Sequence, residues 1–148
     1  MTQIAFQREI NPIKFANRGE QITGQMALQE MQRLSVLLAD ASGFADVSLQ
    51  FGKDIEGIDY ITGIITVTLT LICQRCWHPF QYPMTIQLGL SPVKDDSAAA
   101  VLPTRYEPIL CQGGVVLAGN LVEDEILLNM PLIVKHSDNQ CTERVISD

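Results

Sequence analysis

The sequence is poor in the groups that catalysis draws on. Its 148 residues hold 2 histidines and 1 tryptophan, and aromatic residues make up 6%. No GxSxG, GxGxxG or Walker loop occurs, which removes the usual serine-hydrolase, dinucleotide and phosphate-cradling readings. Glu123, Asp124 and Glu125 are adjacent on an expected helix and point in different directions, so they suit an acidic rim better than a paired acid and base. We therefore expect no enzyme. Basic residues are also scarce: 10 Lys and Arg face 17 Asp and Glu, for a net charge of −7. The imbalance is uneven, with +1 over residues 1–33, −2 over 34–94 and −6 over 95–148. Phosphate contacts need clustered Lys and Arg, so this balance favours a basic protein partner over general nucleic-acid binding. No apolar run approaches the roughly 18–20 residues of a membrane span. Met1–Arg8 lacks the basic, apolar and small-residue regions of a signal peptide, so the expected compartment is the cytoplasm. There, the 4 cysteines are expected as thiols, metal ligands or redox groups rather than disulfides.

What is present is a strong two-residue period. Ile65, Val67, Leu69, Leu71 and Cys73 fall on one face of a strand and Thr66, Thr68 and Thr70 on the other. Alternation resumes after Trp77-His78-Pro79 with Phe80, Tyr82, Met84, Ile86, Leu88 and Leu90, so Cys73-Gln74-Arg75-Cys76 is expected at a hairpin tip. Further strands are expected around Gln3–Phe6, Ile22–Leu28, Val47–Phe51 and Tyr106–Cys111, with Pro108 at an edge. Asn11-Pro12 marks a turn, Ile13–Gly19 a brief helical turn, and Gly63 a bulge or bend within Ile58–Ile72. Steps of three and four residues through Ala27, Met31, Leu34, Leu38 and Ala41 predict one principal helix, and Val115–Met130 a second, ended by Pro131. Residues 91–104 read as an exposed loop. The expectation is a single α+β domain over 1–148: a mostly antiparallel sheet, barrel-like if it closes, with two principal helices.

The two thiolates of Cys73 and Cys76 have the spacing at which a tight turn presents both to one ion. His136 and Cys141 would complete a tetrahedral Cys3His zinc site, tying the end of the chain to the hairpin tip, with Arg75 and Lys135 offsetting the thiolate charge. The competing arrangement is four reduced cysteines, Cys111 being a small buried hydrophobe. His78 is expected as an exposed turn residue that could stand in for His136. A redox pair would need a helix after the first thiol to lower its pKa, and none is evident. Arg75 and Trp77 at the tip offer a cation and a ring for phosphate and an unpaired base; alternatively Trp77, Phe80 and Tyr82 serve only packing.

Leu71-Ile-Cys73-Gln-Arg-Cys76, Tyr106-Glu107-Pro108-Ile109, Leu121-Val-Glu123-Asp124-Glu125-Ile126-Leu127-Leu128, Pro131 and His136–Cys141 together resemble the YceD family of large ribosomal RNA subunit accumulation proteins. Asn11-Pro12 and Gly19–Leu34 extend the resemblance over most of the chain. It implies a cytoplasmic, non-catalytic factor for synthesis, processing or stability of 23S ribosomal RNA, with a large-subunit ribosomal protein or pre-ribosomal particle as partner. Zinc at the cysteines is part of that expectation, although many relatives carry a second C-x-x-C-like group where this chain has His136 and Cys141. The expected RNA- or partner-binding residues are Arg75, Trp77, Glu123, Asp124 and Glu125.

Overall fold

A computed structural model describes residues 3–111 and 114–131. The elements run β1 (Glu9–Ile10), α1 (Pro12–Arg18), β2 (Gln21–Ala27), a 3-10 turn (Leu28–Glu30), α2 (Gln32–Ser35), β3 (Phe44–Lys53), β4 (Asp59–Ile72), β5 (Pro79–Val93), α3 (Asp96–Ala100), β6 (Glu107–Leu110), β7 (Val116–Leu117) and α4 (Ala118–Leu128). The expected α+β class holds. Five strands form one sheet in the order β2-β3-β4-β5-β6, and β1 pairs with β7 in a second, two-stranded sheet. The first three pairings of the large sheet are antiparallel, and β6 joins β5 in parallel. Among the described residues β2 and β6 are its two edges and the sheet does not close.

Alternation explains the layering. Ile61, Ile65, Val67, Leu69 and Leu71 of β4 are buried, as are Val47, Leu49 and Phe51 of β3 and Ile86, Leu88 and Leu90 of β5. Thr66, Thr68, Thr85 and Gln87 lie exposed between them, as expected when one face of an antiparallel sheet meets solvent. Each fully buried aliphatic side chain contributes about 1.5–3 kcal/mol of transfer free energy. The buried face shares one core with Leu121, Val122 and Ile126 of α4 and with Met31 and Leu34. Helix α1 adds Phe15, whose ring meets Phe51 edge-on at 5.2 Å. Its start is set by Asn11, which accepts a hydrogen bond from Lys14 N at 3.1 Å, with Pro12 in the first turn.

The structure departs from the sequence pattern in several places. Over Gln3–Phe6 no strand forms, and Gln3 alone bridges Gln25. The helix expected over Ala27–Ala41 is a 3-10 turn and one turn of α2, interrupted at the extended Met31. Leu28, Met31 and Leu34 still reach the core, since three-residue spacing suits successive tight turns as well as a helix. Beyond α2 the chain runs along β4: Ala39 N donates to Thr70 O at 2.8 Å, and Asp40 bridges Thr70. β3 has left β4 by then, and a strand-like segment satisfies the exposed edge. Gly63 is no bulge. It pairs in register with Leu49 and Leu88, and a Cβ there would collide with the Ser48 carbonyl oxygen. Residues 91–104 are not simply a loop, because Ser91, Pro92 and Val93 stay buried in β5 and Asp95 caps α3 through Ala98 N. The second helix begins only at Ala118, Val116 and Leu117 being paired with β1.

Candidate functional site

Cys73 lies at 0% exposure and Cys76 at 8%, in a small cluster of their own beneath Phe80. The tip between β4 and β5 closes through two backbone bonds: Cys73 N donates to His78 O at 3.0 Å, and Trp77 N to Cys73 O at 2.7 Å. Inside that loop Arg75 N donates to Cys73 Sγ at 3.4 Å. The chain passes straight from the turn into β5 at Pro79, so neither sulfur has the helix N-terminus of a thioredoxin-type pair. Two inward thiols with an amide donor fit half of a soft-metal site. The other two expected ligands, His136 and Cys141, and the helper Lys135, lie outside the described residues. Among the described residues, no group of three or more His, Cys, Asp and Glu could hold a metal ion. Cys111 is buried, and burial pushes its thiol pKa up. His78 is exposed.

Trp77 takes a left-handed backbone conformation, with φ at 65°, and its side chain is 70% exposed. Bulky residues avoid this region because Cβ crowds the following carbonyl, a cost of about 1–2 kcal/mol. A ring held there without being buried is not serving the core. It borders a groove of about 450 Å³ together with Leu37, Ile72, Leu127, Met130 and Pro131. Val36 and Leu128, next in sequence to two of these, are 79% and 74% exposed. The tip and the end of α4 therefore present apolar surface together, a juxtaposition that sequence reading missed. One signal was Val36, which lies off the apolar stripe expected through Ala27, Met31, Leu34, Leu38 and Ala41.

The three carboxylates of α4 do not form one acidic rim. Glu123 is buried, and its Oε2 accepts from Leu34 N at 2.9 Å while Oε1 accepts from Arg33 Nη2 at 3.0 Å. Exposed Asp124 pairs with the same Arg33 at 2.7 Å, the largest of the effects that raise the guanidinium pKa. Glu125 is 9% exposed; burial raises its pKa, and Glu107 and Asp124 add to the shift. Helical spacing sends neighbouring residues in different directions, so Glu123 pins α4 to α2 while Glu125 faces β6. The pinning partner Arg33 was indistinguishable in sequence from any surface cation.

A second polar cluster sits at the far end of β4. Asp54 accepts from Glu56 N and Ile58 N at 2.9 Å each, from Tyr106 Oη at 2.8 Å and from Arg105 Nη2 at 3.1 Å. Arg105 also bonds Glu56 and lies 5.0 Å from the centre of the Tyr106 ring. These donors, the Ile58 amide foremost, hold the Asp54 carboxyl at about 2 against the opposing effect of burial. Every partner is internal, so the cluster joins the segment before β6 to the β3–β4 turn.

The profile of the family described as large ribosomal RNA subunit accumulation protein YceD matches residues 61–147. A Haemophilus influenzae protein of that same description is 32% identical over 143 residues, covering 95% of this chain and 82% of the relative. No solved structure matches. The matched region contains β4 from Ile61 onward, the cysteine tip, β5, β6 and all of α4. The family profile covers more than half of the chain and the relative nearly all of it: the chain belongs to the YceD family.

Proposed function

We propose that this protein is a non-catalytic factor supporting accumulation of large-subunit ribosomal RNA, acting in the cytoplasm through a large-subunit ribosomal protein or pre-ribosomal particle. The observation that carries the reading is the alignment, over 95% of the chain, with a relative described in those terms. The chemistry of the chain is consistent with it: a net charge of −7 draws basic partners by long-range steering, and exposed Trp77 beside the apolar groove supplies the kind of aromatic anchor on which interfaces concentrate their energy. Purification of the tagged protein from growing cells should recover large-subunit proteins or precursor ribosomal RNA. Recovery of neither would overturn the reading.

In this reading Cys73 and Cys76 hold a zinc ion with His136 and Cys141. The ion would be structural, fixing the tip rather than activating water, because four protein ligands leave no open position. Metal analysis of protein purified without chelator should find one zinc per chain, and Cys73→Ser should lose it; metal-free protein of full stability would remove this part. Direct RNA contact through Arg75 and Trp77 is a second reading, favoured by the exposed ring in its left-handed turn. On that reading, replacing both residues with alanine weakens RNA binding, and binding by the native protein falls steeply with salt.

A further inference from the structure

Between β6 on one side and β7 and α4 on the other runs a groove of about 550 Å³, lined by apolar Leu90, Ile109, Leu110, Val115 and Leu121. Glu125 also lines it. Its residue is nine-tenths buried with its carboxylate still in touch with solvent, and among the described residues no hydrogen bond or ion pair engages that carboxylate. That is unusual, because a buried carboxylate ordinarily has a cation or donor beside it. Its sibling Glu123, two residues earlier, has both. Glu107, the first residue of β6, adds charge of the wrong sign to relieve it, and Asp124, which lines the same groove, is engaged by Arg33 on its other side.

The wall of the groove is an open sheet edge. Cys111 N donates to Val93 O, so in a strand of period two the backbone groups of Glu107 and Ile109 also face β5, and those of Pro108 and Leu110 face away. No described strand pairs beyond β6. The outward groups are thus the carbonyls of Pro108 and Leu110 and the N–H of Leu110, the donors and acceptors that strand addition uses.

We propose that this groove takes an extended, lysine- or arginine-bearing peptide segment as an added strand, with one basic side chain reaching Glu125 and apolar neighbours covering Leu110 and Val115. The inference rests on the reading above and names the surface and the partner chemistry. The carboxylates select the occupant: they repel nucleic-acid phosphate and a second copy of this acidic chain alike, and they attract a basic one.

The test is a fluorescence anisotropy titration with a short labelled peptide of alternating lysine and valine, and with its glutamate–valine counterpart. The basic peptide should bind and the acidic one should not. Glu125→Gln, nearly isosteric, should weaken binding by about tenfold or more. Leu110→Pro removes an outward N–H that no ladder bond uses, and should weaken binding comparably while melting temperature and circular dichroism stay native. Should Leu110→Pro fail to fold, Glu125→Gln decides. Equal binding by Glu125→Gln and the native protein, or equal binding of the two peptides, would overturn the proposal. Particle recovery separates the two levels. If native protein and Glu125→Gln both recover large-subunit particles equally well, the groove is excluded and the reading it rests on stands. If the native protein recovers none, that reading fails, and the peptide titration still decides the groove.

Discussion

At one end of β4 the backbone turns left-handed on Gly57, with φ at 82°; at the other end Trp77 occupies the same region, with φ at 65°. The two loops close alike. In each, the first residue donates its N–H to the last, Asp54 to Ile58 O and Cys73 to His78 O, and accepts from the left-handed residue, Gly57 or Trp77. In each, its side chain also accepts from the amide two residues on, carboxylate from Glu56 N and sulfur from Arg75 N. What differs is the chemistry placed on the same scaffold. The β3–β4 turn has glycine where glycine is cheapest, and Tyr106 and Arg105 brace it from the segment before β6. The β4–β5 turn keeps an indole in a strained, solvated position and two sulfurs beneath it. One turn places glycine where the left-handed backbone costs least; the other holds an exposed Trp77 there, at a cost in stability.

Breaking the support of the tip should have the largest effect. Glu123→Ala strands the buried Leu34 amide and leaves Arg33 only its exposed Asp124 partner, costing about 2 kcal/mol. Because Glu123 pins the helix that brings Leu127 to the groove, hydrogen exchange should quicken in α2 and α4 and stay unchanged at Ile58. Gly57→Ala comes next, at about 1–2 kcal/mol for a Cβ in the left-handed region, read as a lowered melting temperature. Trp77→Gly should move stability the other way, raising it by up to about 1 kcal/mol as the strain is relieved. Opposite signs for these two substitutions are the core of the comparison, and equal signs would dissolve it.

The smallest effect concerns pH. Asp54 has its folded carboxyl lowered from 3.8 to about 2. A carboxyl depressed on folding contributes stability above its unfolded value and loses it as pH falls through the folded one. Thermal melts between these two values should therefore show a shallower fall for Asp54→Asn than for the native protein.

The sheet was legible in sequence because its strands alternate cleanly, and a buried face leaves no freedom of register. Thus Ile65–Cys73 and Phe80–Leu90 appear as read, and the cysteine tip with them. Ala27–Ala41 was not legible as strand-pairing chain, since Leu28, Met31 and Leu34 satisfy a helical period as readily as two tight turns, and the free edge at Thr70 exists only once β3 and β4 have paired. Nor could adjacency distinguish Glu123 from Glu125. Their difference depends on Arg33, ninety positions away, and on the edge of β6, neither of which is local to the helix.

The most direct test of the claim that the tip is a working surface is the ratio of large- to small-subunit ribosomal RNA in cells whose only copy of the protein carries Trp77→Gly. We predict a fall in that ratio, with protein abundance equal to or above native and the isolated variant at least as stable. A normal ratio in those cells would contradict the account.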